Sequence, residues 1–162
     1  MTISVIGLNH KSANIDIRGK FSFSTDSASL ILRRIKKVRD IHEVIVVSTC
    51  NRTEIYCEST NGADDIKNWL LAEKEYKSFA KHLYIHQEED AIEHLFKVVA
   101  GLDSMVIGES EVLGQVKTAY KTALENKSID GKLKRLFEYS FSVAKNVRTN
   151  TDIGGNAISF MY

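Results

Sequence analysis

Hydrophobic positions along the first half of the chain change repeatedly between runs of strand length and stripes at helical spacing. The apolar runs predict four strands, at residues 2–8, 43–48, 53–59 and 79–86. The stripes predict one helix within 25–40, after an N-cap at Ser24, and another around 66–70. The resulting order, β-α-β-β-α-β, predicts a ferredoxin-like antiparallel sheet with both helices on one face.

The second half of the chain, from Glu88 onward, shows only the helical period. Three apolar stripes separated by short connections predict three helices that pack as a small bundle. The predicted fold class is therefore α+β, with a ferredoxin-like βαββαβ subdomain at 1–87 followed by a helical subdomain at 88–150. Residues 156–162 are again apolar, and such an ending is typical of a chain that continues.

Composition adds limits on the class of protein and on its compartment. Of the 162 residues, 43% are hydrophobic, so the chain can bury a core and is not a disordered protein. Lys and Arg number 22 against 21 Asp and Glu, which leaves only local patches for nucleic-acid binding. No apolar run reaches the roughly 18 residues of a membrane helix, and no signal peptide is recognisable. The two cysteines lack disulfide geometry in this pattern, so a cytoplasmic protein without membrane contact is expected.

Cys50 is the side chain with the clearest candidate chemistry, because it lies in the tight turn between the second and third strands. A cysteine at such a rigid edge is a candidate nucleophile, and the cation of Arg52, two residues on, favours the thiolate. The alternative is that Cys50 is a small buried hydrophobic residue. Cys57 falls inside an alternating strand and is interpreted as core. His94 flanks the apolar stripe of its helix and is either a base or an ordinary surface histidine.

Metal, nucleotide and nucleic-acid signals are weaker. No His and Cys residues share the spacing of a zinc site, and no glycine-rich loop follows a strand, so neither a metal site nor a dinucleotide site is predicted in this chain. The basic runs at 33–39 and 132–148 either bind a phosphate backbone or form the solvated faces of amphipathic helices. Local patterns therefore leave open an enzyme and a non-catalytic RNA-binding or protein-interaction module.

Three separated motifs, in order along the chain, resemble glutamyl-tRNA reductase. They are GLNHKSA at 7–13, STCNRTE at 48–54, and GLDSMVIGE with LGQVK within 101–117. The resemblance covers the whole chain but only the N-terminal catalytic region of that family, whose members continue through a linking helix into NADPH-binding and dimerisation domains. It implies that residues 151–162 begin the linking helix and that NADPH binds outside this chain.

The resemblance also implies a reaction. Glutamyl-tRNA would be reduced with NADPH to glutamate-1-semialdehyde, the first committed step of the five-carbon route to tetrapyrroles. Cys50 would attack the ester carbonyl that joins glutamate to the tRNA and form a thioester. His94 would serve in proton transfer to the departing ribose oxygen. The family further implies a cytoplasmic homodimer and hand-off of the product to glutamate-1-semialdehyde aminomutase.

The matching motif positions indicate which residues would bind the substrate. They are Thr49, Asn51, Arg52, Ser104, Glu109, Ser110, Glu111 and Gln115. Arg52 would be the cation that meets a carboxylate-bearing substrate. The chain departs from many relatives at positions 110 and 111, where Ser110 and Glu111 replace proline and glutamine, and at Asn14, which also replaces proline.

Overall fold

A computed structural model describes residues 1–152, which form a sheet of four strands and six α-helices. The strands are β1 (Thr2–Asn9), β2 (Ile41–Ser48), β3 (Arg52–Ser59) and β4 (Tyr84–Gln87). The helices are α1 (Ile15–Lys20), α2 (Thr25–Lys36), α3 (Ala63–Ala72), α4 (Glu89–Val99), α5 (Glu111–Glu125) and α6 (Lys132–Asn150), with a 3₁₀ helix at Lys77–His82. Of the predicted linking segment, 151–162, residues 153–162 lie outside the described residues. Within residues 1–152, no helix combines the length and the apolar character that crossing a membrane requires.

The sheet has the strand order β2-β3-β1-β4, and every neighbouring pair is antiparallel. This arrangement confirms the predicted ferredoxin-like sheet and the α+β class. β1 and β3 lie at its centre and pair along their whole length, from Thr2 opposite Ser59 to Asn9 opposite Arg52. The turn that follows β2 therefore lies beside the end of β1.

Two local elements differ from the prediction. The segment 79–86 is not one strand, because its first half belongs to the 3₁₀ helix and only β4 pairs with β1. Phe79 turns into the core there, with its ring centroid 5.2 Å from that of Phe21. The short helix α1 buries no residue and so has no apolar stripe; it is capped by the side chain of Asn14, which accepts a hydrogen bond from the N–H of Ile17.

Both faces of the sheet are covered, which explains why all eight residues of β3 are buried. Helices α2 and α3 pack on one face, α4 and α6 on the other, and α5 packs along β2 and against α2. On the second face the rings of Tyr56 and Phe137 lie 5.2 Å apart between centroids. Alternate residues of a strand share a face, so Arg52, Glu54 and Glu58 lie on this face beside Tyr56. The charged residues of β3 are thus buried between sheet and helices.

Glu43 of β2 ties the start of α6 to the sheet. Its buried carboxylate accepts hydrogen bonds of 2.9–3.3 Å from four backbone N–H groups, those of Asp130, Gly131, Leu133 and Lys134. These bonds satisfy N–H groups that a helix N-terminus leaves without intrahelical partners. Burial by itself raises the pKa of Glu43, but the backbone hydrogen bonds outweigh it and hold the pKa below its ordinary value.

The loop between α4 and α5, which carries several of the predicted substrate residues, is closed at its base. Gly101 and Gly108 both have positive φ, 79° and 82°, and the N–H of Gly108 donates to the carbonyl of Gly101 at 3.0 Å. A Cβ on Gly101 would lie 3.1 Å from the carbonyl oxygen of Glu109. Arg148 of α6 donates to the carbonyls of Gly108 and Glu109, so the loop is fixed against α6.

Candidate functional site

The turn between β2 and β3 holds Cys50 at its tip. The side-chain oxygen of Thr49 accepts hydrogen bonds from the backbone N–H groups of Asn51 and Arg52, both at 3.2 Å. The N–H of Thr49 donates to the carbonyl of Arg52 at 2.8 Å. These bonds fix the backbone at the end of a buried hairpin, and the side chain of Cys50 is exposed. The alternative that Cys50 is a buried hydrophobic residue is therefore wrong, whereas Cys57 is buried.

A cleft of about 510 Å³ opens beside Cys50. Its lining includes Thr49 from the turn, Arg18 from α1 and Gln115 from α5. The Nε of Arg18 lies 3.5 Å from the carbonyl oxygen of Cys50, and its Nη1 donates to the carbonyl of Ala13 at 2.8 Å. Cys50 therefore shares its cleft with a guanidinium and an amide, two groups that can bind a carboxylate.

Arg52 lies outside this cleft and is committed to other partners. Its side chain is 1% exposed, and its Nη2 donates to the carbonyl of Asp103 at 2.6 Å and to its carboxylate at 3.0 Å. Its Nη1 lies 3.5 Å from a carboxylate oxygen of Glu54. Burial lowers the pKa of Arg52, but the charge of Glu54 and its neighbours outweighs burial and raises it. Arg52 thus joins the loop after α4 to the sheet, and the cation beside the thiol is Arg18.

Glu54 is the centre of a buried polar cluster beneath α4. Its fully buried carboxylate accepts hydrogen bonds from the hydroxyls of Tyr84 at 2.7 Å and Tyr56 at 3.3 Å, and it pairs with Nε2 of His94. Burial raises the pKa of Glu54, but the hydrogen bond and charge of His94 and the charge of Arg52 outweigh it, so the pKa is lowered. His94 is 11% exposed and is therefore not an ordinary surface histidine.

A second cleft, of about 580 Å³, has His94 on its wall. Its lining also includes His86, Lys11 and Asp103. The rings of His86 and His94 lie 4.8 Å apart between centroids, and burial together with the neighbouring His94 lowers the pKa of His86. Cys50 does not line this cleft, so the structure does not bring the two predicted catalytic residues into one cavity.

The loop after β1 connects the two clefts. The backbone N–H of His10 donates to the carbonyl of Asn51, beside Cys50, at 3.0 Å. Asn9 and Ser12, on either side of His10, line the cleft that contains His94. The loop after β1 therefore contacts the Cys50 turn through His10 and lines the His94 cleft through Asn9 and Ser12.

The remaining predicted substrate residues lie in the loop between α4 and α5 or just after it. Ser104 and Glu109 are half-buried in the loop. Ser110 is the exposed N-cap of α5, and Glu111 and Gln115 lie on α5 itself. Gln115 follows Glu111 by one helical turn and is the member of this group that lines the Cys50 cleft. Ser104 directly follows Asp103, the partner of Arg52.

Comparison with known proteins places this arrangement in a family. The family model described as "Glutamyl-tRNAGlu reductase, N-terminal domain" matches residues 6–151. This chain belongs to the glutamyl-tRNA reductase family. It is 45% identical over 167 residues to glutamyl-tRNA reductase of Aliivibrio fischeri, with coverage of 100% of this chain and 40% of that protein. It is 43% identical over 164 residues to that of Idiomarina loihiensis, with coverage of 100% and 39%.

A solved structure supports the same assignment. Glutamyl-tRNA reductase from Methanopyrus kandleri matches with a TM-score of 0.71 and 26% identity, covering 92% of this chain and 35% of that one. The chain spans about 40% of the length of the curated relatives it matches, and the matching part is the N-terminal domain. The resemblance carried by the three motifs is thereby confirmed.

The motifs of this glutamyl-tRNA reductase domain imply no role for Arg18 or Glu54. A signal for Glu54 exists in the sequence, because β3 places charged residues at alternate positions in a strand flanked by apolar segments. Arg18 has no comparable signal, since α1 is short and lacks an apolar stripe. Among residues 1–152, no three His, Cys, Asp or Glu side chains are arranged to hold a metal ion.

Proposed function

We propose that this chain performs the acyl-transfer step of a glutamyl-tRNA reductase, with Cys50 as the nucleophile. The observation that carries the proposal is an exposed thiol at a rigid turn, beside a cleft that contains Arg18 and Gln115. In the complete protein this step precedes reduction of the glutamyl group to glutamate-1-semialdehyde, in tetrapyrrole biosynthesis.

The chemistry is an exchange of an oxygen ester for a thioester. The thiolate of Cys50 attacks the ester carbonyl between glutamate and the 3′-terminal ribose of the tRNA. A C–S bond forms, the C–O bond to the ribose breaks, and the ribose oxygen takes up a proton. The tRNA leaves with a free hydroxyl, and a glutamyl thioester remains on the protein.

The glutamyl group occupies the Cys50 cleft in this proposal. The guanidinium of Arg18 and the amide of Gln115 bind its side-chain carboxylate, and Thr49 fixes the turn that presents the thiol. Arg52 acts through Asp103, by holding the loop that carries Ser104. The remaining expected contacts form the surrounding surface: Asn51, Glu109, Ser110 and Glu111.

His94 transfers the proton to the departing ribose oxygen, and Glu54 is its positioning residue. The buried carboxylate of Glu54 pairs with Nε2 of His94 and so fixes the orientation of the imidazole. His94 and Cys50 line different clefts, whereas the attacked carbon and the departing oxygen are bonded to each other, so the proton passes from His94 to that oxygen through intervening water and not by direct contact.

The described residues do not fit NADPH. The sheet is antiparallel throughout, and within residues 1–152 no glycine-rich turn leads from a strand into a helix, so the cradle that holds a dinucleotide pyrophosphate is missing there. In this proposal residues 1–152 carry out no reduction step, and NADPH binds to the further length that the relatives have. The homodimer, the hand-off to glutamate-1-semialdehyde aminomutase and the cytoplasmic location also belong to the proposal for the complete protein.

Covalent capture of labelled glutamate tests the proposal. Incubation with glutamyl-tRNA labelled in the amino acid should leave label on the wild type and on the control Cys57→Ala, and none on Cys50→Ala. Without a hydride donor, water should slowly release the label, so the chain should act as a slow glutamyl-tRNA esterase. Equal labelling and equal hydrolysis by the wild type and Cys50→Ala would overturn the proposal.

Thiol alkylation separates the proposal from the alternative of a non-catalytic RNA-binding or protein-interaction module. Iodoacetamide should modify Cys50 much faster than Cys57, because Cys57 is buried and burial raises the pKa of its thiol. Modified Cys50 should no longer capture glutamate. Full capture by the alkylated protein would contradict its role as nucleophile and favour the module.

A further inference from the structure

A third cleft, of about 400 Å³, lies between α5 and α6, apart from both clefts described above. Apolar side chains, Leu113 and Phe141, contribute to its lining, together with three cations, Lys117, Lys145 and Arg148. The ammonium of Lys117 lies 5.8 Å from the centroid of the Phe141 ring. The cleft therefore combines an aromatic surface with a group of positive charges.

The positive charge of this cleft is not neutralised within the described residues. Between positions 1 and 152, none of Lys117, Lys145 and Arg148 forms an ion pair with a carboxylate. Arg148 donates to two backbone carbonyls, those of Gly108 at 3.4 Å and Glu109 at 2.8 Å, which carry no net charge. Its Nε is buried and has no hydrogen-bond partner in the same part of the chain. Three cations and an unused buried donor favour an anionic ligand.

Two cations of the basic run on α2 are engaged within the protein. Arg34 pairs with Glu73 at 2.5 Å and lies over the ring of Trp69, and Arg33 donates to the side chain of Asn126 at 3.2 Å. These side chains are used in packing the protein itself. Lys37 and Arg39 of the same run, like Lys117 and Lys145, form no ion pair within residues 1–152. What distinguishes the α5–α6 cleft is that its cations surround a cavity lined by an aromatic ring.

We propose that the α5–α6 cleft binds RNA phosphodiester groups, with Lys117 and Lys145 on the phosphates and the Phe141 ring against a ribose or base. The proposal rests on the proposed function, because the RNA is the tRNA part of the substrate. Arg148 connects the cleft to the loop that carries Ser104 and Glu109, so RNA held here is continuous with the surface around the acyl site. Backbone contacts of this kind position a nucleic acid without selecting its sequence.

Binding of uncharged tRNA-Glu to the 162-residue chain, measured by fluorescence anisotropy at several salt concentrations, tests the proposal. The double variant Lys117→Gln/Lys145→Gln should bind at least tenfold more weakly. The slope of log affinity against log salt should fall by about 1.4 to 1.8, since each phosphate contact contributes roughly 0.7 to 0.9. Lys37→Gln/Arg39→Gln is the matched control, because it removes two charges from the end of the α2 basic run. It should bind as the wild type does.

Several results would overturn the assignment. The first is an unchanged salt slope in the cleft variant, and the second is an equal loss of affinity in both variants, which would reflect net charge alone. A third is displacement of the RNA by inorganic phosphate at equal phosphate concentration, which would indicate a site for the free anion. Circular dichroism should show that both variants keep the wild-type fold.

The two proposals fail in different ways. Capture of labelled glutamate on Cys50 with wild-type RNA affinity in Lys117→Gln/Lys145→Gln would overturn the cleft assignment alone. RNA binding that depends on the cleft, together with no capture by the wild type, would support the cleft and overturn the acyl-transfer proposal.

Discussion

Cys50 and Glu54 lie four residues apart on the hairpin of β2 and β3, and the structure gives them opposite environments. Cys50 is exposed at the tip, on a turn that the side chain of Thr49 fixes through two backbone N–H groups. Glu54 is fully buried, and its carboxylate has four partners: Arg52, Tyr56, Tyr84 and His94.

In the proposed function, this difference lets one hairpin serve two purposes. A nucleophile that meets a substrate as large as tRNA has to lie at an open edge, where a turn on a rigid scaffold can present it. A residue that orients a proton-transfer group is fixed best by paired charges in a buried setting, where an unpaired charge is costly. Substitutions at the tip should therefore change the chemistry and spare the fold, whereas substitutions in the Glu54 cluster should first change stability.

Glu54→Ala should cause the largest loss of stability. It leaves Arg52 and His94 without their buried carboxylate, and breaking a buried pair in this way costs about 3–5 kcal/mol of unfolding free energy. Urea denaturation followed by circular dichroism measures the loss. Glu93→Ala is the control, because Glu93 pairs with Lys97 at the surface and its removal should change little. Similar midpoints for the two variants would contradict the comparison.

The sheet was predictable because its signal is local. In β1, β2 and β3 the apolar runs follow directly from burial, and their order along the chain restricts the topology. The segment around Phe79 was mispredicted because a buried aromatic residue fits a strand and a helical turn equally well. Burial of this kind identifies the core without identifying the backbone conformation.

The candidate site could be predicted from the sequence only where the residues concerned are neighbours along the chain. Cys50 could be found from its turn, but the cation beside it could not, because Arg52 lies on a buried face and binds Asp103, 51 residues later. Glu54 and His94 are 40 residues apart in the same way. Such pairs depend on how α4 and the loop that follows it pack on the sheet. No local sequence pattern specifies this packing.

Arg18→Gln tests the tip of the hairpin. Removing the cation beside Cys50 should slow capture of glutamate about tenfold, equivalent to about 1.4 kcal/mol of activation free energy. The unfolding free energy should fall by about 1 kcal/mol or less, the contribution of its hydrogen bonds to backbone carbonyls. Single-turnover labelling and urea denaturation measure the two effects. Lys20→Gln, which changes an exposed residue of the same helix, is the control. Equally slow capture by Lys20→Gln would mean that the loss of net charge alone causes the effect.

At the far end of β3, the carboxyl group of Glu58 makes the stability of the protein depend on pH. Glu58 is 8% exposed and lies opposite Glu43 in the pairing of β2 and β3. Burial and the neighbouring carboxylate raise the pKa of Glu58 above 4.5, so its stabilising contribution is present below that value and is lost as pH rises through the raised pKa. Glu43 has the opposite sign, because its lowered pKa gives a contribution that is present above 4.5 and lost as pH falls.

Glu58→Gln should therefore stabilise the protein at neutral pH. The amide offers a hydrogen-bond donor to Glu43 and removes the second charge, so the unfolding free energy should rise at pH 7, by at most about 1 kcal/mol as for other cross-strand pairs, and change little at pH 4. Urea denaturation at the two pH values measures the difference. Glu125→Gln, an exposed change of the same charge, should show no such dependence on pH. A loss of stability at pH 7 in Glu58→Gln would mean that both carboxylates of the pair are stabilised as anions, and the far end of β3 would then resemble the Glu54 cluster.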